Sequence, residues 1–210
     1  MLFVCRTDTG VGKTIVSSAI MATYRNVPGL RYWKPVQTGD DDDRGTVATL
    51  AGLNDAQWLP NLYHFPEPLS PHRAAELAQA EVDFEKLVHT LGEHARGGPL
   101  LIEGAGGLYV PLNRRTTWLD FLQRTQLPVV IATRTALGTI NHSLLTATAM
   151  QAAGVRVLGF IFCGTANADN QRTICDFTNL PAIAQFEYAP GEPLPATVDL
   201  QGLLAECFRV

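Results

Sequence analysis

Gly10-Val11-Gly12-Lys13-Thr14 stands between a short apolar run, Leu2-Phe3-Val4-Cys5, and the mostly apolar stretch from Ile15 to Ala22. Glycines followed by Lys-Thr at the start of a helix suit the binding of a phosphate chain. Backbone N–H groups and the positive end of the helix dipole face the anion, Lys13 adds a full charge, and the Thr14 hydroxyl is suited to hold Mg²⁺. The plainer reading is an ordinary strand-to-helix turn. The usual Gly-x-x-x-x-Gly-Lys spacing asks for Gly at position 7, where Thr7 stands behind Arg6.

Further candidates lie along the chain. Glu103 ends the apolar run Leu100-Leu101-Ile102, where a carboxylate is costly unless it holds a cation or accepts hydrogen bonds. With Thr14 it forms a plausible Mg²⁺ pair of the Walker B kind. Gly104, Ala105, Gly106 and Gly107 follow it and would let a ligand approach the backbone. Lys34 is placed to stabilise charge during phosphoryl transfer, or simply to form a surface salt bridge. Thr38 suits a substrate hydrogen bond or a turn cap. The run Asp40-Asp41-Asp42-Asp43 reads mainly as a solvated loop. Leu137-Gly138-Thr139-Ile140-Asn141-His142 opens a helix whose free N–H groups suit an anion such as a carboxylate, although a normal capped helix start accounts for the same residues. His142 reads as packed or solvated rather than catalytic, and His72 as structural or as lining a pocket. No Ser/His/Asp ordering points to a hydrolase.

These residues need a scaffold that brings strand ends together. Short apolar strands are expected at 2–5, 31–36, 100–103, 128–133, 155–162 and 181–184, helices at 15–24, 46–53, 70–76, 83–96, 116–123, 140–152 and 198–208, and a loop followed by a helix over 165–177. The stretch from Trp58 to Pro68 is Pro-rich and reads as loop. Such alternation predicts an α/β fold, a mostly parallel sheet covered by helices on both faces, with ligands outside the carboxyl ends of the strands. The 210 residues are expected to form a single domain.

Composition narrows the function. At 46% hydrophobic and 17% charged the chain is globular, and its net charge of −4 argues against nucleic acid as a partner. Cys5, Cys163, Cys175 and Cys207 form no CxxC pair, so neither a disulfide framework nor a structural zinc site is expected, and a reducing cytoplasm fits. No apolar run approaches the ~20 residues of a membrane span, and no signal pattern opens the chain.

Taken together, Thr7–Thr14, Lys34-Pro35-Val36-Gln37-Thr38-Gly39, Ser70-Pro71-His72, Glu103–Gly107, Leu127–Val130 and Leu137–His142 resemble the dethiobiotin synthetases, in order and spacing, from residue 1 to about 165. The resemblance implies an ATP-dependent homodimer that uses 7,8-diaminononanoate, CO₂ or bicarbonate, and Mg²⁺. In that family the diamine traps CO₂ as a carbamate, ATP activates it as a mixed anhydride, and the second amine closes a cyclic urea. Carried over by position, Gly10, Val11, Gly12, Lys13, Thr14 and Ile15 would hold the triphosphate, with Glu103, Gly104, Ala105, Gly106, Cys163 and Gly164 also at the nucleotide. Thr14, Asp43 and Glu103 would hold Mg²⁺. Lys13 and Lys34 would neutralise moving charge as catalytic residues. Thr38 would contact the diamine or carbamate, and Gly138, Thr139, Ile140 and Asn141, from the partner subunit, the substrate carboxylate.

The chain departs from the family at Arg6, where Gly is usual, at Cys163, where a base-reading Asn is usual, and at Ala184-Gln185-Phe186-Glu187, where Gly-x-Ile-Pro is expected. Phosphate chemistry reads as intact and base recognition as altered. Two alternatives stand beside the ligase: a P-loop ATPase acting as a regulatory or partitioning switch, and a weakened nucleotide-binding relative.

Overall fold

The protein's structure, a computed structural model, describes residues 1–8, 12–188, 194 and 205–208. Apolar strands pair side by side because each buries both faces. The central strand β1 (Leu2–Arg6) is flanked by β6 (Leu100–Glu103) and β7 (Val129–Arg134). Beyond β6 lie β2 (Arg31–Trp33) and β4 (Trp58–Leu59); beyond β7 lie β8 (Val157–Cys163) and β9 (Ala182–Phe186). The order is β4-β2-β6-β1-β7-β8-β9, and every pairing is parallel. In register, Leu2 faces Leu101, Phe3 faces Ile102 and Val4 faces Glu103.

Alternation along β1 separates two cores. Leu2 and Val4 pack against Val16, Ile20 and Met21 of α1 (Lys13–Tyr24) and Val47 of α2 (Asp43–Ala51). Phe3 and Cys5 face the opposite layer. There they join Ala74 of α3 (Pro71–Leu77), Leu87 of α4 (Phe84–Ala95), Trp118 and Phe121 of α5 (Trp118–Thr125), Met150 of α6 (Thr139–Ala152) and Ile174 of α7 (Ala168–Thr178). The α/β fold with a parallel sheet covered on both faces is thus as the patterning predicts.

Sequence chemistry explains most boundaries. Pro71 opens α3 after Ser70, and Asp83 caps α4 by accepting from Lys86 N at 3.0 Å. Thr117 and Asp120 form a reciprocal capping box on α5. Two expectations need correction. The single strand expected over 31–36 breaks after Trp33, and β3 (Val36–Thr38) leaves the main sheet to pair with β5 (Tyr63–Phe65). The loop expected over Trp58–Pro68 holds β4 and β5, two short strands held by distant partners rather than by local pattern. The helix expected over 198–208 falls mainly outside the described residues; Ala205–Phe208 form a 3₁₀ turn whose Phe208 ring sits 5.2 Å from that of Tyr24. No helix among the described residues is long and apolar enough to cross a membrane.

Candidate active site

The carboxyl ends of β1, β2, β3 and β6 meet at a cavity of about 450 Å³, a size suited to small molecules. Arg6, Gly12, Lys13, Thr14, Ile15, Lys34, Gln37, Thr38, Asp43, Ala105 and Gly106 contribute to its wall. Of the expected phosphate-binding residues, Gly10 and Val11 lie outside the described residues.

Gly12 caps α1 at φ 81°, a left-handed conformation that favours glycine. An added Cβ there would make only ordinary contact with Cys163, 3.6 Å from its Cβ, so the backbone conformation and not space calls for glycine. This turn makes Lys13 the first helical residue, buried, with Nζ 2.9 Å from Glu103 Oε1.

Glu103 is fully buried and gathers donors from α1, from β2 and from Lys34 just after β2. Ser17 Oγ donates to Oε2 at 2.6 Å and Tyr32 OH at 3.0 Å; Lys13 Nζ, Thr14 Oγ1 and Lys34 Nζ address Oε1 at 2.9, 3.5 and 3.5 Å. Burial pushes this carboxyl up, but the charges of Lys13 and Lys34 and the Ser17 hydrogen bond outweigh it and hold the group down at about 2. Glu103 is therefore ionised at neutral pH. Burial lowers Lys13, with Glu103 opposing the shift. Burial likewise brings Lys34 down to about 8, again against Glu103, so Lys34 remains largely charged at neutral pH.

The acidic run is sorted by the start of α2. Asp42 is its N-cap, accepting from Gly45 N at 2.9 Å, and Asp43 is its first helical residue. Asp43 accepts from Thr14 Oγ1 at 2.8 Å and pairs with Lys34, whereas Asp40, Asp41 and Asp42 are exposed. Thr14, Asp43 and Glu103 thus bring hard oxygen donors together, a set that fits Mg²⁺.

Gln37 is buried beside Thr38. Its Nε2 donates to Thr38 O at 3.1 Å, which fixes the amide orientation and leaves Oε1 without a hydrogen-bond partner. At the β6 end, Gly104 packs so tightly that an added Cβ would stand 2.7 Å from the Phe3 ring. Ala105 O accepts from Trp118 Nε1 at 2.6 Å, which anchors the turn on α5.

The remaining expected residues stand apart from this cavity. Cys163 and Gly164 lie at the end of β8, behind Gly12, where burial raises the Cys163 thiol to about 12 and Gly164 N–H donates to Phe186 O at 3.0 Å. Gly138, Thr139, Ile140 and Asn141 open α6. The Thr139 hydroxyl is buried, 2.9 Å from Thr133 Oγ1, while Asn141 is exposed.

Sequence reasoning did not single out Ser17, Tyr32 or Gln37. Signals for the first two existed. Ser17 stands four residues after Lys13 on one helix face, and Tyr32 two before Lys34 on one face of an extended segment. Gln37 carried no such signal.

A family model described as an AAA domain matches residues 1–191. The ATP-dependent dethiobiotin synthetase BioD of Nitrobacter hamburgensis is 45% identical over 212 residues, covering 100% of this chain and 94% of that protein. The protein of the same name from a Bradyrhizobium species is 42% identical, covering 99% of this chain and 95% of its own. Among solved structures, a ParA family ATPase from Chlorobium tepidum superposes with a TM-score of 0.59 at 11% identity, covering 98% of this chain and 90% of that one, a likeness of fold alone. With identity of this order running the whole length, and a P-loop lysine, a second lysine and an acidic cluster meeting at one cavity, the chain belongs to the dethiobiotin synthetase family.

Proposed function

We propose that this chain joins CO₂ to 7,8-diaminononanoate at the expense of ATP and closes the ring to give dethiobiotin. The observation that carries this reading is the convergence of Lys13, Lys34, Thr14 and Asp43 on one cavity at the carboxyl edge of a parallel sheet, with Glu103 buried behind them and paired to both lysines. The full-length similarity to proteins named ATP-dependent dethiobiotin synthetase supports it.

One amine of the substrate adds to CO₂ and loses a proton, giving a carbamate. A carbamate oxygen attacks the terminal phosphorus, ADP leaves, and a carbamic-phosphoric anhydride forms. The second amine then attacks the carbonyl carbon, loses a proton and expels phosphate. Lys13 and Lys34 supply fixed positive charge against the anionic oxygens in the first two stages. Glu103 and Asp43 hold both ammonium groups aimed before substrate arrives. Gln37 Oε1 offers a buried acceptor suited to an amine N–H. Thr14, Asp43 and Glu103 would hold Mg²⁺, which would supply positive charge against the phosphate chain.

These roles extend beyond one subunit. Gly138–Asn141 open α6 away from the cavity, beside Leu137 at 98% exposure and Leu145 at 62%. Apolar side chains in solvent at that place support a homodimer in which α6 of one subunit completes the substrate site of the other. The sheet between two continuous cores supports one domain over 1–210. The four unpaired cysteines suit a cytoplasmic location.

Phosphate release from Mg²⁺-ATP and bicarbonate, followed with and without the diamine, tests the reading. Release is expected only with all components present. Release indifferent to the diamine would mean an ATPase switch instead.

A further inference from the structure

Arg6 ends β1 in the middle of the sheet, in register with Ala132. Alternation places it with Leu2 and Val4 on the α1 side. There it forms part of the cavity wall with Lys13, Lys34, Ala105 and Gly106. The side chain is half-buried, and its Nε is buried with no hydrogen-bond partner. The cavity's carboxylates are committed elsewhere: Glu103 to Lys13 and Lys34, Asp43 to Lys34 and Thr14. Asp8, two residues further on, pairs with Arg134 at 3.3 Å. Among the described residues Arg6 makes no ion pair.

A half-buried guanidinium whose buried Nε–H has no acceptor is unfavourable unless a ligand supplies one. The charge of Arg6 is also felt at both neighbouring ammonium groups. After burial, it is among the influences that lower Lys13 and Lys34. A P-loop lysine addresses the outer phosphates, so a cation close to Lys13 and Lys34 alike stands beside the outermost one. A guanidinium also matches phosphate oxygens through two parallel N–H bonds, which an ammonium does not.

We propose that Arg6 is a further substrate-contacting residue, whose guanidinium donates to the terminal phosphoryl group of the bound nucleoside triphosphate and completes a three-cation cradle with Lys13 and Lys34. The proposal rests on the reading of this cavity as the phosphate site. It gives the chain a grip on triphosphate over diphosphate that backbone N–H groups around the inner phosphates do not provide.

The test compares the dissociation constants of ADP and a non-hydrolysable ATP analogue, each with Mg²⁺, by calorimetry on the intact protein and on Arg6→Gln. A hydrogen bond to a charged oxygen is worth about tenfold to a hundredfold in affinity. Arg6→Gln is therefore expected to weaken the analogue by about that factor and to leave ADP within about twofold. Retained ADP binding also shows that the variant is folded. An analogue-to-ADP affinity ratio equal to that of the parent overturns the proposal, whatever happens to turnover. Arg6→Gly, which removes the side chain without adding bulk, is the companion variant should Arg6→Gln not fold, and the same ratio decides. A parent protein that binds neither nucleotide would instead overturn the reading of the cavity, and this proposal with it.

Discussion

Lys34 shows how burial prepares a single residue for chemistry. It is almost fully enclosed, held by Asp43 and Glu103, and its pKa is brought to about 8 by burial. A charge fixed in a poorly solvated place needs no reorganisation when negative charge moves onto the carbamate and terminal phosphoryl oxygens. The proposed grip of the P-loop on ATP does not involve it. Lys34→Ala should therefore lower kcat by about 10²–10³-fold while changing the ATP dissociation constant only a few-fold. Steady-state kinetics alongside equilibrium titration separate the two. Equal losses in both would assign Lys34 to ground-state binding alone. Glu103 plays the complementary part: its ionised carboxylate keeps Lys13 and Lys34 oriented, and Ser17 and Tyr32 in turn fix Glu103.

At the level of elements, the turn after β6 is the tightest point between sheet and helix. The Phe3 ring is wedged against Trp118 and Phe121, with centroids at 5.5 and 6.1 Å, and it occupies the place a side chain on residue 104 would need. The ring has little room to yield. Gly104→Ala is expected to cost about 1–3 kcal/mol, read as a lower urea midpoint at unchanged m-value. A variant as stable as the parent would mean that α5 repacks freely, which the Trp118 anchor on Ala105 argues against. The same elements show what is legible in sequence. The apolar runs of β1, β6, β7 and β8 and the caps Asp83 and Thr117 declare themselves locally. β4 and β5 do not, because Trp58 and Leu59 become a strand only by meeting Tyr32 and Trp33. Asp43 was ambiguous within its run until the N-cap at Asp42 set the helix phase. Arg6 looked anomalous because its direction depends on strand alternation at the last residue of β1, which leaves its surroundings open.

Across the whole molecule, one arrangement explains why distant segments serve one site. All strands of the main sheet run the same way, so the ends of β1, β2 and β6, at Arg6, Trp33 and Glu103, open at one edge. Lys13, Lys34 and Glu103 are brought within hydrogen-bond or ion-pair reach by that topology and not by sequence proximity. The α6 start lies at the same carboxyl edge, after β7, yet outside the cavity of its own chain. If this edge couples ATP cleavage to closing a cyclic urea, as proposed, labelled carbon follows that coupling directly. With ¹³C-bicarbonate, the diamine and Mg²⁺-ATP, mass spectrometry of the products should find one labelled carbon in dethiobiotin for each phosphate released. Phosphate accumulating without a labelled cyclic urea would contradict the account.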